Sequence, residues 1–484
     1  MNRLLIICVA VWLGLFAANA QQRLSCQRPQ HAAGTRSNMA DYIPTPMGQV
    51  HIPVILAAYP DQAFSLPDAD IRAYWHNLLN QPGYAEHGAQ GSAADYFKQQ
   101  SGGLFTPVFD VIGPVMLPQE RAFYGANRSS VEGNDENAYV MINDACVAAN
   151  ISFEPYSWQQ NNIVDAVMVI FAGPGENRGG TPDCIWPHMS SLAAQVGTMR
   201  LTNYACVSEL RDRSNLDGYG TFLHEFSHCL ALPDLYPIND DSVYSLFDEW
   251  DLMDGGNYTN NGFSPPNYSA FERWLCGWYE PTELSSAASV AGMPAWNDEP
   301  VAYVVRHPER AATDYYIMEN RQQRGFDSYV PGQGLLITHV TGYRKGEINP
   351  NDDRTTRVQL VYADNRTYKQ CEAYYGTARH YTADGRSNYL SGSAYPYVNG
   401  STVTDAFTTT SMPTMAFDKP LTNIRLAADG TISFDFMGGT SGIRPLVDQP
   451  AAHDDGWYDL MGRRLPQAPT RKGVYIHHKK KVAF

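Results

Sequence analysis

The order of hydrophobic patterns along the chain is the feature that most limits its fold. Between residues 49 and 285, apolar runs such as 49–61 and Ala166–Phe171 alternate with stretches of helical spacing, which is typical of mixed α/β structure. After residue 285, short apolar or alternating runs are separated by Gly, Pro, Asp and Asn, as in an all-β sandwich. The sequence predicts an α/β (α+β) domain at 49–285 followed by an all-β sandwich domain at 286–437.

Length and composition agree with a globular protein of two or three folded units, since the chain has 484 residues, of which 44% are hydrophobic and 18% charged. The formal net charge of −15 argues against nucleic acid as a partner. Nothing in the sequence predicts the oligomeric state. After the predicted sandwich we expect a linker at 438–456 and a basic tail at 457–484.

The N-terminus has the form of an export signal. Arg3 precedes an apolar run from Leu4 to Phe16, and small residues follow at Ala18–Ala20. We expect cleavage after residue 20, a leader or pro-segment at 21–48, and a secreted or cell-surface protein. The apolar run is short for a membrane anchor, and we expect no membrane span once the signal is removed.

Seven cysteines remain after the signal, so at least one is unpaired within a monomer. Cys184 and Cys206 are close enough in sequence to form a disulfide bond, although the spacing alone does not establish one.

The stretch TFLHEFSHCLALPDLY, residues 221–236, contains the candidate metal-binding and catalytic residues. His224 and His228 lie four residues apart, which places both imidazoles on one face of a helix where they can bind a common zinc ion. A catalytic zinc takes three protein ligands and leaves a fourth position for water. Glu225 is placed to accept a proton from that water and to deliver it to a leaving amine.

Two residues are possible third ligands. Asp234 lies six residues beyond His228, and a helix that ends near Ala231 and turns at Pro233 brings it back to the metal. Glu249 lies twenty-one residues beyond His228, in the manner of thermolysin-like enzymes. We favour Asp234 because Met253 stands before a Gly-Gly turn, like the methionine turn of metzincins. In the metzincin pattern H-E-x-x-H-x-x-G-x-x-H, Ala231 here replaces the glycine and Asp234 replaces the third histidine.

With these motifs the chain resembles the immune inhibitor A family of secreted bacterial zinc metallopeptidases. The resemblance includes HEFSHCLALPDLY, WDLMDGGNY, VILAAYPDQAF and GPGENRGGTPDCIWPHM, and extends over residues 49–437. It implies a zincin-like catalytic domain at 49–285, with His224 and His228 as ligands, Glu225 as general base and acid, and Asp234 as the matching acidic ligand. The implied enzyme is a zinc endopeptidase that acts on proteins or peptides.

Another class of function is left open. A non-catalytic surface protein of the same fold would use its β-sandwich domain for binding, and its His pair would be vestigial. The intact Glu225 argues against this alternative.

Four smaller predictions remain. Cys26 either blocks the metal as part of a pro-segment, pairs in a disulfide, or is idle. The acidic stretches 237–242 and 349–353 either bind Ca²⁺ or are metal-free turns. The strand 202–210 is either a substrate-binding sheet edge or a core strand. The tail resembles those of exported Bacteroides and Prevotella proteins, as a sorting signal or a plain β-hairpin.

Overall fold

The computed structural model of the protein describes residues 46–443, except 129–132, 239–244, 345, 348, 352–354, 377–379 and 440–441, together with short stretches between 457 and 483. The predicted signal peptide, Cys26 and most of the leader therefore lie outside the described residues. Within the described part, no helix is both long and apolar enough to cross a lipid bilayer.

A six-stranded sheet forms the first half of the structure. Its strands are β1 (Gly48–Ala58), β2 (Phe105–Met116), β3 (Ile163–Val164), β4 (Val167–Pro174), β5 (His188–Val196) and β6 (Met199–Leu210). The order is β2-β1-β4-β6, with parallel pairing throughout, and β3 pairs with the start of β6 in line with β4. Because parallel strands need covered faces, helices must lie on both sides of this sheet.

In the described part of the chain, seven α-helices accompany the strands: α1 (Asp68–Asn80), α2 (Ala93–Gln100), α3 (Arg121–Gly125), α4 (Ala138–Ala149), α5 (Gly220–Cys229), α6 (Ala270–Leu275) and α7 (Tyr368–Tyr375). Alternate residues of β1 enter two different cores: Val54 and Leu56 pack with α1, α2 and α5, whereas Ile55 and Ala57 pack with α4. This two-residue alternation is what a strand buried on both faces must show.

The strand β6 lies in the interior of the sheet. It pairs with β4 on one side and antiparallel with β5 on the other. The prediction that residues 202–210 form a sheet edge is therefore wrong, and their alternative role as a core strand is confirmed. Among the described residues, β5 pairs only with β6, so β5 is the edge strand next to the helix that carries the His pair.

The second half contains mainly short strands: β7 (Thr282–Glu283), β8 (Ala288–Met293), β9 (Ala302–Arg306), β10 (Asp314–Arg321), β11 (Gly334–Thr341), β12 (Val358–Leu360), β13 (Tyr397–Asn399), β14 (Thr402–Thr404), β15 (Leu421–Leu426), β16 (Ile432–Phe436) and β17 (Gly442–Ile443). They form a five-stranded sheet, β12-β11-β10-β9-β7, a four-stranded sheet, β15-β16-β8-β17, and a β13–β14 hairpin. The stretch 364–415 contains α7 and this hairpin.

The five-stranded sheet is buried on both faces. Tyr303 and Met318 join a cluster with Phe434 of the four-stranded sheet. On the opposite face, Val304 and Ile317 belong to the same core as the helices of the first half. The two facing sheets fit the predicted sandwich, but this continuous core leaves the separate sandwich domain and its boundary at residue 286 a prediction.

The helix α6 begins with a capping box, and a hydrogen bond joins it to a buried ion-pair network in the second half. Ser269 N–H donates to Glu272 Oε2 at 2.7 Å, and Ala270 N–H donates to Glu319 Oε2 at 2.5 Å. Arg321, which is fully buried, bonds to Glu319 at 2.9 Å and to Asp327 at 2.5 Å. Removing one partner of such a buried pair costs about 3–5 kcal/mol.

In the tail, the described residues form a three-stranded antiparallel sheet of β18 (Trp457–Tyr458), β19 (Val474–His477) and β20 (Lys480–Ala483). The predicted terminal hairpin is present as β19 and β20. A sorting role for the tail stays a prediction, as does the linker at 438–456.

Candidate metal centre

The helix α5 has one apolar and one polar face. Phe222, Leu223 and Phe226 are fully buried in the core shared with α1 and α2. The polar positions Thr221, His224, Glu225 and His228 follow the i, i+3, i+4, i+7 spacing of a single helix face. All of these polar residues are themselves buried, at 0–4% exposure. The sequence therefore places the His pair and Glu225 on one face of α5, away from the face that packs in the core.

Backbone carbonyl groups fix both imidazole rings. His224 Nδ1 lies 2.9 Å from the carbonyl oxygen of Leu252, and His228 Nδ1 lies 2.8 Å from that of Leu232. A carbonyl oxygen only accepts, so each Nδ1 must be the protonated donor. In the neutral rings, Nε2 then carries a lone pair, which is the form in which histidine binds a metal.

Asp234 completes a cluster with the two rings. Its Oδ1 lies 3.3 Å from His224 Nε2 and 3.1 Å from His228 Nε2. The three ligand atoms lie within 4.8 Å of one another, and in the described part of the chain these are the only three His, Cys, Asp or Glu residues so placed. His224 Nε2 is buried and makes no hydrogen bond. Three acceptor atoms that converge in a buried place require a cation between them or a shared proton.

The electrostatic environment favours positive charge at this cluster. Burial alone would lower the pKa of His224, but the carboxylates of Asp234 and Glu225, with the Leu252 carbonyl, raise it to about 9. The same negative potential that holds a proton on His224 would hold a metal cation in its place. The donor set of two imidazoles and one carboxylate suits a first-row transition metal such as zinc.

A Schellman motif ends α5 and returns the chain to the His pair. Leu232 N–H donates to the Ser227 carbonyl at 3.1 Å, and Ala231 N–H donates to the His228 carbonyl at 3.0 Å. These are the two bonds that define this helix ending. Ala231 has φ = +66°, a conformation that glycine adopts more easily. The helix thus ends at Cys229, close to the predicted end near Ala231, even though an alanine replaces the usual glycine.

Met253 lies directly beneath this turn. It is fully buried, its carbonyl accepts a hydrogen bond from Leu235 N–H at 2.9 Å, and its own N–H donates to Asp251 Oδ1 at 2.8 Å. Leu252 at the same time holds the His224 ring. The methionine segment therefore supports both the third acidic residue and the first histidine through the backbone.

The alternative third ligand, Glu249, is buried in a 3-10 turn at Asp248–Trp250. It is not a member of the group that brings His224, His228 and Asp234 together. Of the two residues that the sequence leaves open, the structure brings only Asp234 to the His pair.

Sequence reasoning missed the backbone groups that orient the site. The carbonyls of Leu232 and Leu252 have no signature in side-chain type, and only the folded path shows that they face the imidazoles. Tyr268 was also missed: its hydroxyl bonds to Ser227 Oγ on α5. Such partners lie far along the chain, and no local pattern identifies them.

The remaining predictions have mixed outcomes. Cys184 and Cys206 are both buried free thiols, so the disulfide that their spacing allows is not formed. Two other groups of residues fall largely outside the described part of the chain, namely those of 237–242 and the acidic end of 349–353. A calcium site at either place stays a prediction.

Comparisons with known proteins agree with this site. Residues 67–279 match the family described as immune inhibitor A peptidase M6, catalytic domain. Immune inhibitor A of Bacillus thuringiensis subsp. alesti is 27% identical over 225 residues, which cover 38% of this chain and 32% of that protein. The pre-pro-metalloprotease PrtV of Vibrio cholerae serotype O1 (strain M66-2) is 23% identical over 232 residues, which cover 42% of this chain and 25% of that protein.

This chain thus spans a third or less of the curated relatives that it matches. The resemblance drawn from the sequence is confirmed over a shorter range than 49–437. The matched segment, residues 67–279, includes His224, Glu225, His228, Asp234 and Met253, so the candidate metal centre lies in the part of the chain that is similar to an immune inhibitor A (peptidase M6) catalytic domain.

Proposed function

We propose that this protein is a secreted zinc-dependent endopeptidase, with His224, His228 and Asp234 as zinc ligands and Glu225 as general base and acid. The observation that carries the proposal is the convergence of the three acceptor atoms within 4.8 Å, deep in the protein. The family match to an M6 peptidase domain and the relative named as a metalloprotease support the same activity.

The distances suit zinc in particular. Zinc bonds of about 2.0–2.2 Å in tetrahedral geometry place two ligand atoms about 3.3 Å apart. The two separations between histidine Nε2 atoms and Asp234 Oδ1 are 3.3 and 3.1 Å. A zinc ion bound there would lower the pKa of water toward ~7 and polarise a peptide carbonyl.

Glu225 handles the proton in this scheme. It follows His224 directly on the polar face of α5, it is 2% exposed, and its charge is felt at the His224 ring. A carboxylate in this position accepts a proton from the attacking water and transfers it to the leaving amine nitrogen. The burial of Glu225 keeps bulk water from competing for that proton.

Substrate and location are inferred with the activity. Protein or peptide substrates follow from the peptidase family, and export follows from the N-terminal signal pattern in residues 1–20. The edge strand β5, which pairs with β6 in the described part of the chain, is where an extended peptide would lie by β-augmentation.

The test is zinc content measured together with casein cleavage, in wild type and Glu225→Gln. We expect one zinc per chain in both proteins and a loss of cleavage of at least about 100-fold in the variant, which is the contribution of a general base. The matched control is Glu299→Gln, which changes a part-exposed glutamate outside the matched segment.

Two results would reject the proposal. Absence of zinc from both proteins would contradict the proposed metal site. Equal cleavage by both proteins would contradict the proposed role of Glu225. In either case the non-catalytic alternative, a binding protein that uses the β-rich second half, would be tested next.

A further inference from the structure

A second polar cluster begins one helical turn before His224. Thr221 lies three residues ahead of His224 on the same face of α5, a spacing that places the two Cβ atoms about 5–6 Å apart. The Thr221 hydroxyl is buried and makes no hydrogen bond. A buried hydroxyl without a partner is costly, so this position indicates a group that the protein alone does not supply.

Arg178 lies in the same region with most of its donors unused. Its side chain is 2% exposed, and Nη2 lies 3.4 Å from Asp217 Oδ1. The Nε and Nη1 atoms, which carry three of the five N–H donors, are buried and make no hydrogen bond. One long contact to Asp217 leaves this guanidinium under-satisfied.

The segment after the methionine turn joins Arg178 to the start of α5. The Tyr258 ring lies 4.3 Å from the Arg178 guanidinium carbon. The neighbouring Asn257 packs so closely on Gly220 that a Cβ there would lie 1.9 Å from the Asn257 carbonyl oxygen. Both polar atoms of the Asn257 side chain are buried without a hydrogen bond. The unused donors of Arg178, Thr221 and Asn257 thus belong to segments in direct contact.

The N-terminus of α5 adds positive potential to this cluster. No side chain caps its N-terminus, and its first turn contains no acidic residue. The helix dipole favours a negative charge there. Asp217 does not fill this role, since its Oδ1 is already shared between Gly218 N–H at 2.9 Å and Arg178.

We propose that Arg178, Thr221 and Asn257, with the N-terminus of α5, form a subsite for a carboxylate of the peptide substrate. The inference rests on the proposed peptidase function, and it adds a substrate class: peptides with a carboxylate close to the bond that is cut. That carboxylate belongs either to an Asp or Glu side chain or to the C-terminus of the peptide. Among the residues of this cluster, Tyr258 alone is part-exposed, so the ligand enters where the Tyr258 ring now stacks on Arg178.

The experiment compares fluorogenic peptides in matched pairs. One series carries Glu or Gln at each position around the cut bond, and the other carries a C-terminal acid or amide at increasing distance from it. For the zinc-loaded wild type we expect kcat/KM to favour the carboxylate about 10- to 100-fold, the worth of a charge-assisted hydrogen bond. The series that shows the preference identifies the source of the carboxylate.

Two variants test Thr221 and Arg178, and a third is the control. Thr221→Val removes the hydroxyl and keeps the shape, while the double variant Arg178→Met with Asp217→Asn removes the cation without leaving an unpaired buried acid. In both, we expect the ratio of carboxylate to amide rates to fall toward one, mainly through KM. Arg72→Met removes a charge from an exposed position and should preserve the wild-type ratio.

A binding measurement separates this subsite from turnover. With Glu225→Gln as the background, fluorescence anisotropy should show tighter binding of the carboxylate peptides, and Thr221→Val should abolish the difference. A wild type that cuts all pairs equally would overturn the subsite while leaving the peptidase proposal intact. A wild type without zinc and without cleavage would instead reject the proposed function, and equal anisotropy for every pair would then reject the subsite as well.

Discussion

Leu235 N–H donates to the carbonyl oxygen of Met253 at 2.9 Å, so the residue after Asp234 is fixed to the methionine turn. This contact explains how a carboxylate outside α5 is held against two imidazoles on it. It depends on the backbone of Met253, whereas the side chain of Met253 fills the core below the site.

The first prediction separates these two roles of Met253. Met253→Ala should lower the free energy of unfolding by about 2–5 kcal/mol, because it opens a cavity at a fully buried position, and it should weaken zinc binding. Met253→Leu conserves volume and should cost less than about 1.5 kcal/mol. Chemical denaturation with zinc titration measures both effects. Equal losses in the two variants would mean that something other than volume matters at this position.

The second prediction concerns the third ligand. Asp234→Asn should weaken zinc binding by at least about 100-fold, because it removes the only negative charge in the donor set. Glu249→Gln, a matched change of a buried acid, should retain the metal. Competition against a chromogenic chelator measures the affinity of both. The opposite ranking would assign the ligand to Glu249.

The third prediction concerns the end of α5. Ala231 has φ = +66°, which costs an alanine about 1–2 kcal/mol, while glycine loses about 0.4–1 kcal/mol more chain entropy on folding. Ala231→Gly should therefore stabilise the protein by up to about 1 kcal/mol. Ala145→Gly, inside α4, should destabilise it by a similar amount. Thermal unfolding should show a higher melting temperature for Ala231→Gly and a lower one for Ala145→Gly. A lower melting temperature in both variants would contradict the prediction.

The fourth prediction is a pH dependence from a buried acid pair. Burial raises the pKa of Asp251 to about 7. Burial and the negative charge of Asp251 raise the pKa of Glu272 well above its ordinary value. Above pH ~4 an unfolded chain releases these protons while the folded protein keeps them. Stability is therefore greatest below that pH and is lost as pH rises through ~7, by up to ~1.4 kcal/mol per pH unit for each proton.

Glu272→Gln tests this dependence, because the amide keeps the shape of the side chain and an oxygen that can accept from Ser269 but carries no titrating proton. Urea denaturation between pH 5 and 7.5 should show a flatter slope than wild type. Asp70→Asn, at an exposed site on α1, should keep the wild-type slope. An unchanged slope in Glu272→Gln would locate the titration elsewhere.

The sequence predicted those features that local patterns determine. The apolar runs of β1 and β4 and the spacing of α5 follow from side-chain periodicity within a few residues, and the structure confirms them. The His pair and Asp234 could be found because one helix and one turn carry all three. Pro233 was a usable local signal for that turn.

Other features depend on contacts that no local pattern encodes. The half-exposed strand β5 has a weak hydrophobic pattern. The sequence therefore indicated β6, and not β5, as a possible sheet edge. The contact of Arg178 with the Tyr258 ring is between residues eighty positions apart in the chain. The burial of β9 and β10 on both faces depends on the helices of the first half. Long-range packing of this kind appears only when the whole chain is assembled.

The two-sided burial of the five-stranded sheet determines how the chain would respond to a break. Val304 and Ile317 lie in the same core as α5, the helix that carries the His pair, and Arg321 lies in a buried network that includes Glu319, the acceptor of the Ala270 N–H. Interfaces that are extensive and apolar do not separate freely. A single cut of the backbone near residue 285 should therefore leave two pieces that remain associated and elute together, while either piece produced alone would expose its apolar face and aggregate.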